Sequence, residues 1–368
     1  MFDMVSREQQ ILALIRDDPM MPQQTIAAQL GITRSAVAGH IMNLGNKGLI
    51  KGRGYVLSDA PFVSVIGGAN IDIHGRSKQA LRSNDSNPGD VHIAAGGVAR
   101  NIAENLARLG ADTRLISAVG DDHHGQVLMQ LSRDAGINVQ NVLQIPSAAT
   151  STYLSVLDDS GDMLVAINDM SIIDKLTVDR LQPLQAMLKR STLIVLDANL
   201  PGDTIAWLTE TFSDTPIFAD TVSTAKAPRL QPYLQHIHTL KTGTIEVEAL
   251  VGQEARSKAQ LVKVAEMLHN EGVTRVFITR GEKGVFFSVE GKHGIQKVQR
   301  NKNDILNAGG AGDAFLAGLA YTWLEHWNLQ ESVQFALAAA DITLSHSGTS
   351  NPALSLGLVQ RAMETQHA

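Results

Sequence analysis

A glycine-rich loop that ends in an aspartate is the stretch of this chain with the clearest chemical potential. Residues 307–313 read NAGGAGD and lead into the apolar segment 314–324. Small residues let backbone N–H groups approach a phosphate, and a helix that begins there adds its positive dipole. Since a carboxylate would repel the anion unless it has a task, we expect Asp313 to act as general base towards an attacking hydroxyl. The alternative is a glycine-rich turn in which Asp313 only caps a helix.

A second group of polar residues follows an apolar run. Residues 62–68 read FVSVIGG, which is typical of a buried strand that ends in glycines. Asn70 and Asp72 then alternate along an extended segment, so one face can offer both side chains to a polyol. For Asn70 the alternative is an ordinary turn residue.

Apolar runs and helical patterns alternate through residues 61–368. The predicted strands are 62–68, 115–120, 192–199, 216–220, 236–241 and 275–281. The predicted helices are 98–109, 181–189 and 258–270. This alternation predicts an α/β fold with a central, mostly parallel sheet flanked by helices. In such sheets, sites lie beyond the carboxyl ends of the strands, which is where several of the polar residues stand.

The segment 150–168 has a different pattern. It alternates apolar and polar residues around the turn sequence DDSGD at 158–162, which indicates a hairpin. We expect this hairpin to belong to a small β flap, or lid, over the site.

Residues 1–58 form a separate pattern. Ser6 and Gln9 can make a capping box for a first helix, Pro22 suits the start of a second, and Thr33 or Ser35 the start of a third. The basic stretch 51–57 follows as a hairpin. These features resemble the winged helix-turn-helix of many bacterial regulators, and the boundaries predicted are 1–58 for this domain and 61–368 for the large one.

The charge of the chain is uneven. Residues 1–57 carry six Lys/Arg against four Asp/Glu, whereas the remainder carries 25 against 33. The third helix is predicted to enter the DNA major groove. The DNA-binding candidates are Arg34, Ser35, His40, Asn43, Lys47, Lys51 and Arg53. The alternative is a protein–protein or dimerisation module with an ordinary solvated basic face.

Composition excludes several classes of site. The chain has no cysteine, which rules out disulfides, thiolate metal sites and cysteine nucleophiles. Residues 1–10 have no apolar signal core, and no apolar stretch is long enough to suggest a membrane span. We therefore expect a cytoplasmic protein.

Two long motifs resemble the PfkB, or ribokinase-like, carbohydrate kinase family. Residues 310–313 match the glycine-alanine-glycine-aspartate end of one signature, and residues 94–125 match the other. The resemblance implies an ATP-dependent kinase with Asp313 as base and the amides of Gly310, Ala311 and Gly312 as an anion hole for the transferred phosphoryl group. It further implies that Asp72, with Gly97 and Asn101, holds sugar hydroxyls. Asn70 and Gly96 complete that set.

Residues 279–284 match the family's threonine-x-glycine-x-x-glycine loop. By resemblance, Thr279, Gly281 and Gly284 contact the nucleotide. On their own these residues predict only a strand-to-hairpin turn.

Two positions depart from the family pattern. Gly309 replaces a usual threonine, and Gly243 replaces the asparagine of an asparagine-x-x-glutamate motif whose glutamate is kept as Glu246. In the family this motif organises Mg²⁺ through water, so Glu246 is the metal candidate, and K⁺ is a further candidate cofactor. We expect a slower kinase, or one whose metal shell is completed by water, with a non-catalytic domain as the alternative.

The segments 86–110, 151–170 and 236–241 look closer to bacterial pseudouridine kinases than to fructose- or ribose-specific members. This implies transfer of the γ-phosphoryl group of ATP to the 5′-hydroxyl of a ribonucleoside, with Ser151, Thr152 and Asn168 beside the base or ribose. Another nucleoside such as inosine or uridine, and a free sugar, remain alternatives. A nucleoside-sensing, DNA-binding regulator is the competing function. The family also implies a homodimer formed through the flap.

Overall fold

The computed structural model describes residues 6–50, 61–298, 306 and 309–366. Contacts divide the chain into two compact units, Met1–Pro61 and Phe62–Ala368. Residues 59–60, between the two predicted domains, lie outside the described residues, and so does the predicted basic hairpin at 51–57 with the DNA-binding candidates Lys51 and Arg53.

The first unit contains three helices, α1 (Arg7–Asp17), α2 (Gln23–Leu30) and α3 (Arg34–Asn46). The predicted capping box is present, since Ser6 accepts a bond from the Gln9 amide and the Gln9 side chain accepts one from the Ser6 amide. Thr33 caps α3. The helices enclose a small core that includes Ile11, Ile15, Ile26, Val37 and Leu44.

The second unit is an α/β domain. Its described strands are β1 (Phe62–Ile66), β2 (Asn70–Ser77), β3 (Gly89–Gly96), β4 (Asp112–Ile116), β5 (Ala118–Gly120), β6 (Leu143–Ile145), β7 (Thr152–Leu157), β8 (Met163–Asp169), β9 (Leu193–Asp197), β10 (Ile217–Asp220), β11 (Thr239–Gly243), β12 (Arg275–Thr279), β13 (Val285–Val289) and β14 (Lys292–Gln296). Its described helices are α4 (Val98–Leu109), α5 (His123–Asp134), α6 (Val178–Leu181), α7 (Gln185–Leu188), α8 (Gly202–Thr211), α9 (Thr244–Val251), α10 (Lys258–Asn270), α11 (Ala311–Leu324), α12 (Leu329–Leu344) and α13 (Leu356–Gln366).

The predicted central sheet is confirmed. Within the described part of the chain its strand order is β14-β13-β12-β11-β10-β9-β1-β4. In this sheet β4, β1, β9, β10, β11 and β12 pair in parallel with their neighbours. β13 and β14 add an antiparallel edge next to β12. Both faces are covered. On β9, Ile194 and Leu196 pack in one core cluster, and Leu193 and Val195 pack in the other.

Three predicted elements differ from those observed. The predicted strand 115–120 is split, because β4 ends at Ile116 and β5 pairs with β6 in a separate small sheet. The predicted helix 181–189 is interrupted by a 3₁₀ turn that contains Pro183, whose ring lacks the N–H that a helix interior needs. The predicted strand 236–241 starts only at Thr239, since a 3₁₀ helix occupies Ala227–His236.

The flap is confirmed and is larger than predicted. The hairpin of β7 and β8 joins β2 and β3 in a sheet of order β3-β2-β7-β8. One face of this sheet carries Ile71, which is fully buried with Leu128 of α5. Because side chains alternate along a strand, Asn70 and Asp72 lie on the opposite face. Asn70 and Asp72 are therefore part of the flap itself.

Candidate active site

The carboxyl ends of the parallel strands form a continuous row of polar groups. β1 leads to Gly67 and Gly68, β9 ends at Asp197, β10 ends at Asp220, and β11 leads through Lys241 to Gly243. Asp197, Asp220 and Lys241 are all buried. Buried charges persist in proteins only when they are paired or hydrogen-bonded, so this edge of the sheet is where chemistry is expected.

The glycine loop and Asp313 meet this row. Gly310 is the N-cap of α11 with φ 76°, and Asp313 lies in the first turn of that helix. A β-carbon on Gly310 would stand 1.7 Å from the carbonyl oxygen of Thr349, and one on Gly312 would stand 2.5 Å from Lys241 Nζ. Only glycine fits at 310, where the obstacle is backbone, whereas a side chain at 312 would have to displace the Lys241 ammonium. Asn307 and Ala308, at the start of the predicted loop, lie outside the described residues.

Asp313 is held by a residue of the other signature. Asn101 Nδ2 donates to Asp313 Oδ2 at 2.9 Å. The Asn101 amide oxygen in turn accepts from the Thr349 hydroxyl at 3.3 Å. The two signatures, 212 residues apart at this contact, therefore meet at one carboxyl group.

The electrostatics around Asp313 favour a proton acceptor. Burial, together with the negative charge of Asp220, raises the pKa of Asp313 to about 8, against the opposing pull of the Lys241 ammonium and the Asn101 hydrogen bond. Lys241 Nζ donates to Asp220 Oδ2 at 2.9 Å. Burial opposes the Lys241 charge, but the carboxylates of Asp220, Asp313 and Glu246 outweigh it, so the pKa of Lys241 lies above its usual value.

One end of the row holds the nucleotide and metal candidates. Thr279, at the end of β12, pairs with Gly243 of β11, and its hydroxyl donates to the Thr242 carbonyl. Gly281 and Gly284, both with positive φ, form the turn between β12 and β13. The half-buried Glu246 accepts from the Gly243 amide at 2.8 Å and from the Thr221 hydroxyl. Glu246 and the three nucleotide candidates are thus at the same end of the sheet.

The other end of the row holds the acceptor candidates. Asn70 Nδ2 donates to Asp72 Oδ1 at 2.6 Å, and both side chains are buried. Burial raises the pKa of Asp72, although the Asn70 bond opposes this. A β-carbon on Gly96 would stand 2.2 Å from Asp72 Oδ2, and one on Gly97 would stand 2.5 Å from Ala69 Cα. These glycines let α4, with Asn101, approach the flap.

Ser151 also belongs to this end. It immediately precedes β7, and its carbonyl accepts from the Ile71 amide. By alternation its side chain is on the Asp72 face of the flap. The hydroxyl is buried, with no hydrogen-bond partner among the described residues, and a buried hydroxyl of this kind is expected to find a partner.

Two predicted acceptor residues are not brought together with Asp72. Thr152 pairs with Ile71, so it lies on the flap face that packs towards α5, and its hydroxyl donates to the Thr150 carbonyl. Asn168 is on the Asp72 face, because it pairs with Tyr153 and Tyr153 pairs with Asp72. It is nevertheless exposed on the outer strand β8.

Four residues of the site had no predicted role: Asp197, Asp220, Lys241 and Thr349. Asp197 joins three backbone amides, accepting from Gly68 at 2.9 Å, Ala99 at 3.0 Å and Asn199 at 2.9 Å. Asp197, Asp220 and Lys241 were detectable as single charges near the ends of apolar strands. Thr349 follows α12 with no local pattern to mark it.

Three of the DNA-binding candidates interact with Glu8 of the neighbouring helix α1: His40, Asn43 and Lys47. Lys47 Nζ lies 2.5 Å from Glu8 Oε2 of α1. The bond from Lys47, with smaller effects of Asn43 and His40, holds the pKa of Glu8 below its usual range. Arg34 and Ser35, by contrast, are exposed at the start of α3.

Comparison with known proteins agrees with both units. The profile described as pfkB family carbohydrate kinase matches residues 60–355. The profile described as winged helix-turn-helix DNA-binding matches residues 6–51. None of the helices among the described residues is long and apolar enough to cross a membrane.

Relatives match over most of the chain. It is 38% identical to the uncharacterized sugar kinase YeiI of Escherichia coli (strain K12), with 96% of this chain and 97% of that protein covered. It is 39% identical to pseudouridine kinase of the same organism, with 84% and 98% covered. Among solved structures, a putative sugar kinase from Clostridium perfringens superposes with a TM-score of 0.75 at 32% identity, covering 83% of this chain and 96% of that one.

More distant structures share the fold. Arabidopsis thaliana ribokinase superposes with a TM-score of 0.74 at 21% identity, covering 83% of this chain and 99% of that one. With a buried aspartate at the glycine loop and two family signatures in contact, the chain belongs to the pfkB family of carbohydrate kinases, phosphotransferases with an alcohol group as acceptor, and carries a winged helix-turn-helix module in front of its kinase domain.

Proposed function

We propose that this protein transfers the γ-phosphoryl group of ATP to the 5′-hydroxyl of a ribonucleoside, with pseudouridine as the preferred acceptor. The observation that carries the proposal is the buried Asp313 at the N-terminus of α11, held by Asn101 and flanked by Lys241. The identity to pseudouridine kinase of Escherichia coli supports the choice of acceptor.

Each part of the row has a distinct task in this reaction. Asp313 takes the proton of the attacking hydroxyl. The amides of Gly310, Ala311 and Gly312 bind the transferred phosphoryl group at the helix N-terminus. Asn70 and Asp72 hold the ribose hydroxyls with Gly96, Gly97 and Asn101. Since phosphoryl transfer depends on positioning and electrostatics, little further covalent chemistry is required of the protein.

The residues fit a Mg²⁺ ion that arrives with the nucleotide. The described residues contain no cluster of three or more His, Asp or Glu able to hold a metal, and Mg²⁺ commonly uses one or two carboxylates with phosphate oxygens and water. Glu246 would hold the ion through water, and the ion would neutralise phosphate charge. The solved structure of a putative ribokinase II from Escherichia coli, of the same fold, contains ATP and Mg²⁺.

A coupled ADP-release assay over an acceptor panel tests the proposal. Pseudouridine, uridine, inosine and D-ribose are compared at equal ATP and Mg²⁺, with and without K⁺. We expect the highest kcat/KM with pseudouridine and a 5′-monophosphate as product, identified by mass spectrometry and NMR. Turnover of D-ribose but of no nucleoside would disprove the proposed acceptor.

The pH dependence of kcat/KM follows from Asp313. A carboxyl group with a pKa of about 8 is protonated at lower pH and then cannot accept a proton, so kcat/KM should fall about tenfold per pH unit below that value. Because Asp220 raises this pKa, Asp220→Asn should shift the fall in kcat/KM to lower pH. Lys241→Met should shift the fall in kcat/KM to higher pH, because the Lys241 charge lowers the pKa of Asp313. Shifts in the same direction for both variants would contradict the electrostatic account.

Gly243, which replaces the family asparagine, should weaken the use of Mg²⁺ by the kinase. We expect Gly243→Asn to lower the Mg²⁺ concentration for half-maximal rate about tenfold, as supporting groups around metals typically do. A β-carbon there would stand 3.1 Å from Glu246 Oε1, which a small side-chain shift relieves. Gly252→Asn, at the other end of α9 with open space around it, is the control and should leave the Mg²⁺ dependence unchanged.

A second function, DNA binding by residues 6–57, is supported by the helix-turn-helix profile and by the exposed Arg34 and Ser35. We propose that the protein is also a nucleoside-responsive regulator. Fluorescence anisotropy with genomic fragments upstream of the coding region, with and without nucleoside, tests this. Binding that is insensitive to nucleoside would argue against regulation by the substrate.

The flap supports a homodimer. The face of the flap sheet that carries Ile71 also carries exposed apolar residues. They are Val91, Ile93, Leu154, Val165 and Ile167. Apolar patches of this kind mark interaction surfaces, and sedimentation equilibrium measures the expected dimer mass.

The absence of cysteine fits the reducing cytoplasm as the compartment in which the protein works.

A further inference from the structure

The face of the flap that carries Asp72 continues outward into a group of ring-bearing and hydroxyl side chains. His74 pairs with Ser155 across β2 and β7, and Asp72 pairs with Tyr153 in the preceding row. Paired residues in neighbouring strands point to the same side, and so do residues two apart in one strand. His74, Tyr153 and Ser155 therefore share the face of Asp72, opposite to the face that packs on α5.

His74 is oriented by one ring nitrogen. Its Nδ1 lies 2.6 Å from Ser155 Oγ, and Ser155 is buried. The ring also makes an edge contact with Tyr153, with centroids 6.3 Å apart. No hydrogen bond to Nε2 is found within the described ranges. A histidine held in this way presents Nε2 as a donor or an acceptor, according to the tautomer that Ser155 selects.

The position of these side chains matches the layout of a nucleoside rather than of a sugar alone. His74 is two residues further along β2 than Asp72, which is about 6–7 Å. With the 5′-hydroxyl at Asp313 and the ribose diol at Asp72, a nucleobase would extend along the flap towards His74. A free pentose would end at the Asp72 row.

We propose that His74, Tyr153 and Ser155 form a base cradle that binds the nucleobase of the acceptor, and this inference rests on the proposed function. His74 bonds to the polar edge of the base, Ser155 fixes the His74 ring, and Tyr153 packs on the base with its aromatic ring. Pyrimidine bases of the uracil type, including pseudouracil, alternate C=O and N–H groups along one edge, so they suit either tautomer of His74.

The test uses the full-length protein, with His74→Ala and the shape-conserving His74→Gln, assayed with pseudouridine, uridine, inosine and D-ribose. We expect His74→Ala to lower kcat/KM for the preferred nucleoside by about 10- to 100-fold, mostly through KM, the range for a lost polar contact to substrate. His74→Gln should recover part of that loss. ATP hydrolysis without acceptor should stay within twofold of wild type in both variants.

The control is His293→Ala, which removes an exposed histidine from β14 of the central sheet and should leave all rates unchanged. If wild type phosphorylates a nucleoside and His74→Ala does so within twofold, the base cradle is wrong and the proposed function stands. If His74→Ala lowers acceptor-free ATP hydrolysis as much as nucleoside turnover, its role is structural and the cradle is also wrong. If wild type phosphorylates only sugars, both the proposed function and the base cradle are wrong.

Discussion

Replacing Asp313 with Asn should lower kcat by about a hundredfold or more, within the range known for a positioned general base. The fold should be unaffected. The Asn101 bond to this position can be kept, because an amide oxygen is also an acceptor. Asparagine has nearly the same shape as aspartate, and burial already disfavours a charge at this position, which is why the pKa of Asp313 is raised. Steady-state kinetics with saturating ATP measures the loss.

The matched control for this variant is Asp203→Asn. Asp203 is also an acidic residue in the first turn of a helix, but it is exposed. Its variant should retain wild-type kcat and melting temperature. An Asp313→Asn protein with unchanged kcat would refute the role of Asp313. A variant with lost activity and a melting temperature several degrees lower would instead indicate a structural role.

Replacing Gly310 with Ala should lower kcat/KM for ATP by about a hundredfold, the cost of misplacing reacting groups by about 1 Å. The new methyl group would stand 1.7 Å from the Thr349 carbonyl oxygen. Backbone cannot yield as a flexible side chain does, so the loop and the start of α11 must move. Binding of a non-hydrolysable ATP analogue, measured by calorimetry, should weaken along with turnover.

Gly291→Ala separates this contact from backbone strain. Gly291 has the same φ of 76°, but nothing lies within 4 Å of the β-carbon that the substitution would add. Both variants therefore place Ala in the left-handed region, and only Gly310→Ala adds a clash. We expect Gly291→Ala to keep ATP binding intact. Equal loss of ATP binding in both variants would show that the close approach at Gly310 is unimportant.

The glycine-rich loop at the start of α11 could be predicted because its signal is local, while its role in phosphate binding stays a prediction. Small residues followed by an acid and an apolar helix predict an anion site from adjacent residues alone. The helices α4 and α10 were predicted with the observed bounds, since their apolar periodicity is uninterrupted. The interrupted helix at 181–189 was not, although Pro183 was a visible warning.

The faces of the flap could not be assigned from the sequence. Thr152 and Ser151 are adjacent and both polar, but only the pairing of β7 with β2 shows that Thr152 is opposite to Asp72. A shift of one residue in that register would exchange the two faces. The DNA-binding candidates illustrate the same limit, because Lys47 is basic and exposed yet paired with Glu8.

By itself the sequence determined the order of the elements, the two signatures and the residue types that phosphoryl transfer needs. The tertiary structure alone decided which of those residues meet. Asn101 reaches Asp313 across 212 residues, Lys241 lies against Gly312, and the Thr349 carbonyl closes on Gly310. Local patterns specify helices and turns because those depend on neighbours in the chain. Contacts between distant segments depend on how the sheet and helices pack, and packing is a property of the whole domain.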